Sequence, residues 1–172
     1  MRTILYILFF IFIASCNTHN NKYLFDFDEA THYYYEIEED SLMNMWTKEN
    51  KTDKEKKIIN LLIDDIPYSI KDSSSVKNLE RYGFIKKQIS NSDKSKLREA
   101  IRRKKVADFE ETTCIAEYRD IIIFKKNHKI VGVIKICFGC DQYLIIDSRG
   151  QKQDYEEHIH MGILSQILHP NN

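Results

Sequence analysis

The chain has 172 residues, long enough for one domain and short for two. Apolar residues make up 42% and charged residues 30%, the balance of a globular protein and not of a disordered one. Lys plus Arg and Asp plus Glu each number 26, so there is no basic surplus of the kind a nucleic-acid binder needs, and four cysteines are too few for a disulfide scaffold.

Met1-Arg2-Thr3 is a short positive segment, and Ile4 to Ala14 is an uninterrupted apolar run of 11 residues. A membrane-spanning helix needs roughly 20 such residues, whereas the h-region of a secretory signal needs about this many. The run ends at Ile13-Ala14-Ser15-Cys16 and turns polar at Asn17. These four residues match, position by position, the lipobox of bacterial lipoproteins, which the N-terminus therefore resembles. The resemblance implies diacylglyceryl transfer to the Cys16 thiol, cleavage before Cys16, and acylation of the new amine. It divides the chain into a signal peptide (1–15), a lipidated tether (16–22) and a single α+β domain (23–172). Cleavage removes one cation, Arg2, from the 26, so 25 basic residues remain against 26 acidic ones. With no polybasic patch after the lipid, acyl chains and not electrostatics would hold the protein on the membrane. Asn17 in place of the Asp that marks inner-membrane retention tilts the expectation toward the outer membrane.

Along the domain, Tyr23–Phe27 and His32–Ile37 are short and aromatic-rich, which predicts strands. Their tyrosines read as the edge of a core, with a carbohydrate or partner surface as the alternative. Ser41–Lys48 predicts a helical turn or two. Thr52 and Glu55 have capping-box spacing, and Ile58, Ile59, Leu62 and Ile63 form one helical stripe before Ile66-Pro67. A second helix is expected over 74–82, capped by Asp72 or Ser73 and closed by Gly83. Phe84–Ile89 is ambiguous between strand and helix, and Ser92 is the expected cap of a third helix, 93–104. That helix ends in Arg102-Arg103-Lys104-Lys105, read as a solvated helix end and not a phosphate site.

Tyr118–Phe124 and Ile130–Phe138 are β-branched and aromatic runs, and a turn at Asn127-His128 would join them as a hairpin. That turn places Asp120 opposite Lys135 as a cross-strand ion pair, Ile122 opposite Val133, and Ile121 opposite Ile134. Apolar residues on both faces predict a pair covered on both sides. Gln142–Asp147 is the expected third strand, Ser148–Gln151 a turn, and residues 155–168 an amphipathic C-terminal helix carrying Ile159, Ile163, Leu164, Ile167 and Leu168. The fold class expected is α+β: helices, then a central antiparallel hairpin grown to a three-stranded sheet, then a C-terminal helix.

Cys137-Phe138-Gly139-Cys140 is the one motif with chemical promise. A C-x-x-C can lower a thiol pKa, but redox enzymes place it before a helix, and here a strand follows. A metal knuckle would need a second ligand pair. Cys114 supplies one more thiol, and His158-x-His160 would offer at most one histidine if helical. A structural disulfide is the plainer reading outside the cytoplasm. The hairpin register puts Cys140 opposite Ile115 and Cys137 opposite Tyr118, so Cys114–Cys140 is the better placed pair, worth roughly 3–4 kcal/mol in the loop-entropy model. Three reduced, buried thiols are the alternative. The motifs of serine hydrolases, zinc proteases, P-loops and dinucleotide folds are missing from the sequence. Glu38-Glu39-Asp40 and Asp64-Asp65 read as solvated acids, and Asp26-x-Asp28-Glu29 lacks the Gly and Glu of a calcium loop.

Tyr118-Arg119-Asp120 followed by Lys135-Ile136-Cys137-Phe138-Gly139-Cys140 also resembles a block found in uncharacterised bacterial lipoproteins and secreted proteins. The resemblance supports the strand pair and implies no activity. The function expected is therefore a membrane-anchored extracytoplasmic lipoprotein that works by binding, with a possible protein partner in the cell envelope. No catalytic residue, cofactor or metal is expected, and no nucleic acid. The alternative is a thiol-redox or metal-binding protein using Cys137 and Cys140, with Cys114 as the third thiol.

Overall fold

The two β-branched runs fold as a hairpin, further strands extend it from both edges, and the helices pack on its two faces. The structure, a computed structural model, describes residues 23–72, 74–102, 114–152 and 159–170. Strand β3 is Asp120–Lys126 and β4 is Lys129–Cys137. Asn127 and His128 between them both have positive φ, 48° and 62°, as a two-residue type I′ turn requires. The Asn127 amide donates to Asp28 Oδ2 at 2.9 Å, which ties the turn to the start of the domain.

Around this pair the class is α+β, but the sheet is larger than the three strands expected. Strand β1 (Glu29–Tyr34) pairs with β3, β2 (Ile85–Gln88) pairs with β1, and β5 (Gln142–Asp147) and β6 (Gly150–Lys152) follow β4. The result is a six-stranded antiparallel sheet in the order β2-β1-β3-β4-β5-β6. The first strand precedes the helices, so the expected order of helices before sheet is also corrected. β1 is a distant segment that becomes a neighbour of the hairpin, and its partner strand is invisible to local periodicity.

Helices α1 (Glu39–Thr47), α2 (Asp53–Leu62) and α3 (Leu79–Tyr82) cover one face. Helices α4 (Asn91–Ala100) and α5 (Met161–Leu168) cover the other. α2 begins with the expected capping box: Glu55 N donates to Thr52 Oγ1 at 3.2 Å and Thr52 N to Glu55 Oε2 at 2.6 Å. Gly83 closes α3 at φ 104°. The α4 cap is Ser90, whose Oγ accepts from Asp93 N at 3.2 Å, two residues before the serine expected. Of the helix expected over 74–82, only Leu79–Tyr82 is α-helical. Of the C-terminal helix expected over 155–168, Met161–Leu168 is α-helical and Ile159 and His160 are not, while residues 155–158 lie outside the described residues. Tyr23–Phe27 forms no strand beyond one bridge, Tyr23 to Arg102. Ser73 and residues 103–105 of the basic run lie outside the described residues.

The hairpin register departs from expectation in a way that matters for the site. Lys126 opposes Lys129 and Lys125 opposes Ile130, as the turn dictates, but Phe124 opposes Gly132 and Asp120 opposes Ile136. Val131 is the extra residue of a β-bulge, and a one-residue slip sends every later side chain to the other face. Asp120 therefore does not pair with Lys135, nor does Ile122 with Val133 or Ile121 with Ile134. Asp120, Ile122, Phe124, Ile134 and Ile136 face α4 and α5, while Ile121, Ile123, Val133, Lys135 and Cys137 face α1 to α3. The bulge brings Gly132 under the Phe25 ring, which packs on Phe124 with centroids 5.0 Å apart.

Lys135 is a wholly buried cation on the α2 face. Its Nζ donates to the Asp64 carbonyl and to the Ile66 carbonyl at 3.2 Å, and lies 4.6 Å from the Tyr118 ring centroid. Burial pushes the ammonium down to about 7, against the opposing pull of Asp65 and Asp64.

A Cβ at Gly132 would come within 2.3 Å of the Phe25 ring. Gly132→Ala should cost roughly 1–3 kcal/mol in denaturant unfolding, because the ring must leave its place over Phe124. For Lys135 the sign follows from linkage. Between pH 7 and 10.5 the unfolded chain holds this proton more readily than the folded one, so stability rises as pH rises through that window. The denaturant midpoint of the native chain should increase from neutral to alkaline pH, and in Lys135→Met this increment should be missing.

Candidate functional site

Three polar side chains from separate elements meet on the face opposite Lys135. His32 lies in the middle of β1, Asp120 opens β3, and His169 follows the last residue of α5. His32 and Tyr34 share a face of β1 because they are two residues apart, and Asp120 is the cross-strand partner of Tyr34, so it sits diagonally from His32. α5 runs with Leu164, Ile167 and Leu168 on the sheet and delivers His169 to the same point. The helix is anchored upstream by the His160 amide, which donates to the Ala100 carbonyl at 2.7 Å.

His32 Nε2 lies 2.6 Å from Asp120 Oδ1, and His169 Nε2 lies 2.8 Å from the same oxygen. Each imidazole can donate its Nε2–H to that oxygen, so one carboxylate oxygen serves two donors. His32 and Asp120 are each 3% exposed, while the His169 side chain keeps 19%. The His32 and His169 rings are edge-on at 5.5 Å, and Tyr34 and Phe138 flank His169 at 5.1 and 5.7 Å. Aromatic packing thus sets the plane of His169 while the carboxylate sets its direction. The two Nε2 atoms and the carboxylate oxygen lie within 4.8 Å of one another, an N2O donor set. The sequence singles out none of these three residues as a candidate ligand.

Beside the cluster is a cavity of about 300 Å³. β2 contributes Lys87 and Gln88, α4 contributes Asp93 and Lys96, and α5 contributes Ile163, Gln166 and Ile167, with His32 in the wall. His32 is common to the cavity and the cluster.

The cysteines fall elsewhere. Cys114 and Cys140 are joined, with Cα atoms 5.8 Å apart, inside the range a disulfide needs. Cys137 is a buried free thiol on the Lys135 face, its Sγ 3.3 Å from the Glu117 amide. The C-x-x-C pair is thus not brought together as a dithiol, and Cys137 lies across the sheet from Asp120, not beside it as the unbulged register required. Cys16 and His158 lie outside the described residues. Asp28 serves the hairpin turn, and Asp64 and Asp65 are exposed near Lys135.

His32 and His169 were missed because no local pattern marks them. The available signal was a histidine on the inward phase of an aromatic strand and another directly after an apolar helix stripe, two positions that are ordinarily apolar. Comparison with protein-family models, with curated proteins and with solved structures finds no match for this chain.

Proposed function

We propose that this chain is a bacterial lipoprotein, held through an acylated Cys16 at the extracytoplasmic face of the cell envelope, where the domain from residue 23 onward acts by binding. The lipobox Ile13-Ala14-Ser15-Cys16 carries the anchor. The Cys114–Cys140 pair carries the compartment, since such bridges persist outside the reducing cytoplasm. Among the described residues no helix is long and apolar enough to cross a membrane. Attachment on this reading rests on acyl chains at Cys16, with the outer membrane favoured by Asn17. The cavity beside His32 supports binding as the domain's work, with a protein of the envelope or a small ligand as partner and no part for nucleic acid. Thiol or metal chemistry at Cys137 and Cys140 draws no support from the geometry. Cys140 is already paired with Cys114, and a redox centre would need an accessible thiol of lowered pKa where Cys137 is buried.

Cys16→Ala should abolish incorporation of labelled fatty acid and leave an uncleaved precursor; label retained by the variant defeats the anchor. Non-reducing peptide mapping should recover a Cys114–Cys140 peptide with Cys137 free, and reduction should lower stability by roughly 3–4 kcal/mol. A Cys137–Cys140 bridge would return weight to thiol exchange.

A further inference from the structure

We propose that His32, Asp120 and His169 form a binding site for one divalent transition-metal ion of the zinc class. The proposal does not depend on the anchor at Cys16. Three features carry it. First, both imidazoles direct Nε2 at one carboxylate oxygen, at 2.6 and 2.8 Å, so the three potential ligand atoms are gathered within 4.8 Å of one another. Second, the donors are nearly enclosed, with His32 and Asp120 each 3% exposed. Burying two imidazoles and a carboxylate costs more than an apolar filling of the same volume unless the set has a further use. Third, the rings are already oriented: Tyr34 and Phe138 hold His169, and β1 holds His32 through pairing on both its edges.

The donor set selects the ion class. Two imidazole nitrogens and one carboxylate oxygen suit zinc and its borderline neighbours. Calcium takes six to eight oxygens, and thiolates are needed for the softest ions. Three protein ligands leave one position of a tetrahedron open, and the residual exposure of His169 is the route by which water or a ligand reaches it. In the present hydrogen-bonded arrangement the donor atoms are closer than ligands around zinc, whose bonds of about 2.0–2.1 Å hold ligand atoms roughly 3.3 Å apart. Admitting the ion therefore requires His32 Nε2, at 2.6 Å, and His169 Nε2, at 2.8 Å, to part from the oxygen by roughly 0.7 and 0.5 Å. His169, which caps α5, can supply its own share, and the His32 share requires the Asp120 carboxylate to swing about its side-chain torsions. In the same step each neutral imidazole carries its proton on Nδ1, so that the Nε2 lone pair faces the ion and no net proton is released.

The test uses the full chain in detergent, stripped with a chelator and titrated with zinc chloride. The expected result is one equivalent bound and a rise in Tm. His169→Ala, at the least enclosed ligand, and Asp120→Asn should each weaken zinc binding at least about a hundredfold, since even outer-shell partners of metal sites cost ten- to a hundredfold. His128→Ala, at the exposed hairpin turn, should bind as the native chain does. X-ray absorption of the zinc-loaded native chain needs no variant, and should show nitrogen and oxygen neighbours at about 2.0–2.1 Å with no sulfur at about 2.3 Å. An unchanged Tm with no zinc retained, binding undiminished in His169→Ala, or a sulfur neighbour from Cys137 would each overturn the proposal.

Discussion

The register of β3 against β4 is the constraint on which the rest of the molecule depends. Side chains alternate along a strand, so the inserted Val131 decides which residues face α5 and which face α2. Without the bulge Asp120 and Lys135 would share a face. Their charges would neutralise one another there, and neither His32 nor the carbonyls of Asp64 and Ile66 would have their present partners. With it, an anion and a cation are buried back to back in separate layers, each satisfied by groups of its own layer.

That separation shapes the candidate site. Asp120 Oδ1 is committed to His32 and His169, the two polar side chains among the described residues that reach it in this layer. The cluster also ties three elements far apart in the chain: a strand next to the sheet edge, a central strand and the C-terminal helix. Any ligand there bears at once on β1, β3 and α5, and on the cavity wall that His32 shares with β2 and α4. Occupancy would thus be felt as stabilisation of the whole α4–α5 layer, since a ligand bound only by the native arrangement shifts the folding equilibrium by mass action.

Much of the fold was legible from local chemistry. The Thr52–Glu55 box, the left-handed Gly83, the Asn127-His128 turn and the Gln142–Asp147 strand each depend on residues a few positions apart, and all are present. The proximity of Cys114 and Cys140 followed from the hairpin even though the register was wrong by one, because both lie at its open end, where a single step keeps them neighbours. What failed was non-local. β1 joins the sheet across 88 positions of sequence from His32 to Asp120, and His169 arrives from 49 positions beyond Asp120, distances over which periodicity carries no information. The bulge was illegible for another reason. Gly132 was visible, but the Phe25 ring that lies over it comes from the start of the domain.

Lys135 has a consequence for how this protein can be observed. Amine-acylating reagents attack neutral amines that they can touch, and this one is 0% exposed beneath α2 and its following loop. Lysines such as Lys48 and Lys86 are about half exposed and can be reached without any opening of the fold. Covalent labelling of Lys135 must wait for the α2 layer to lift from the sheet, so the rate at which this single residue gains mass is a direct clock for the opening of that layer.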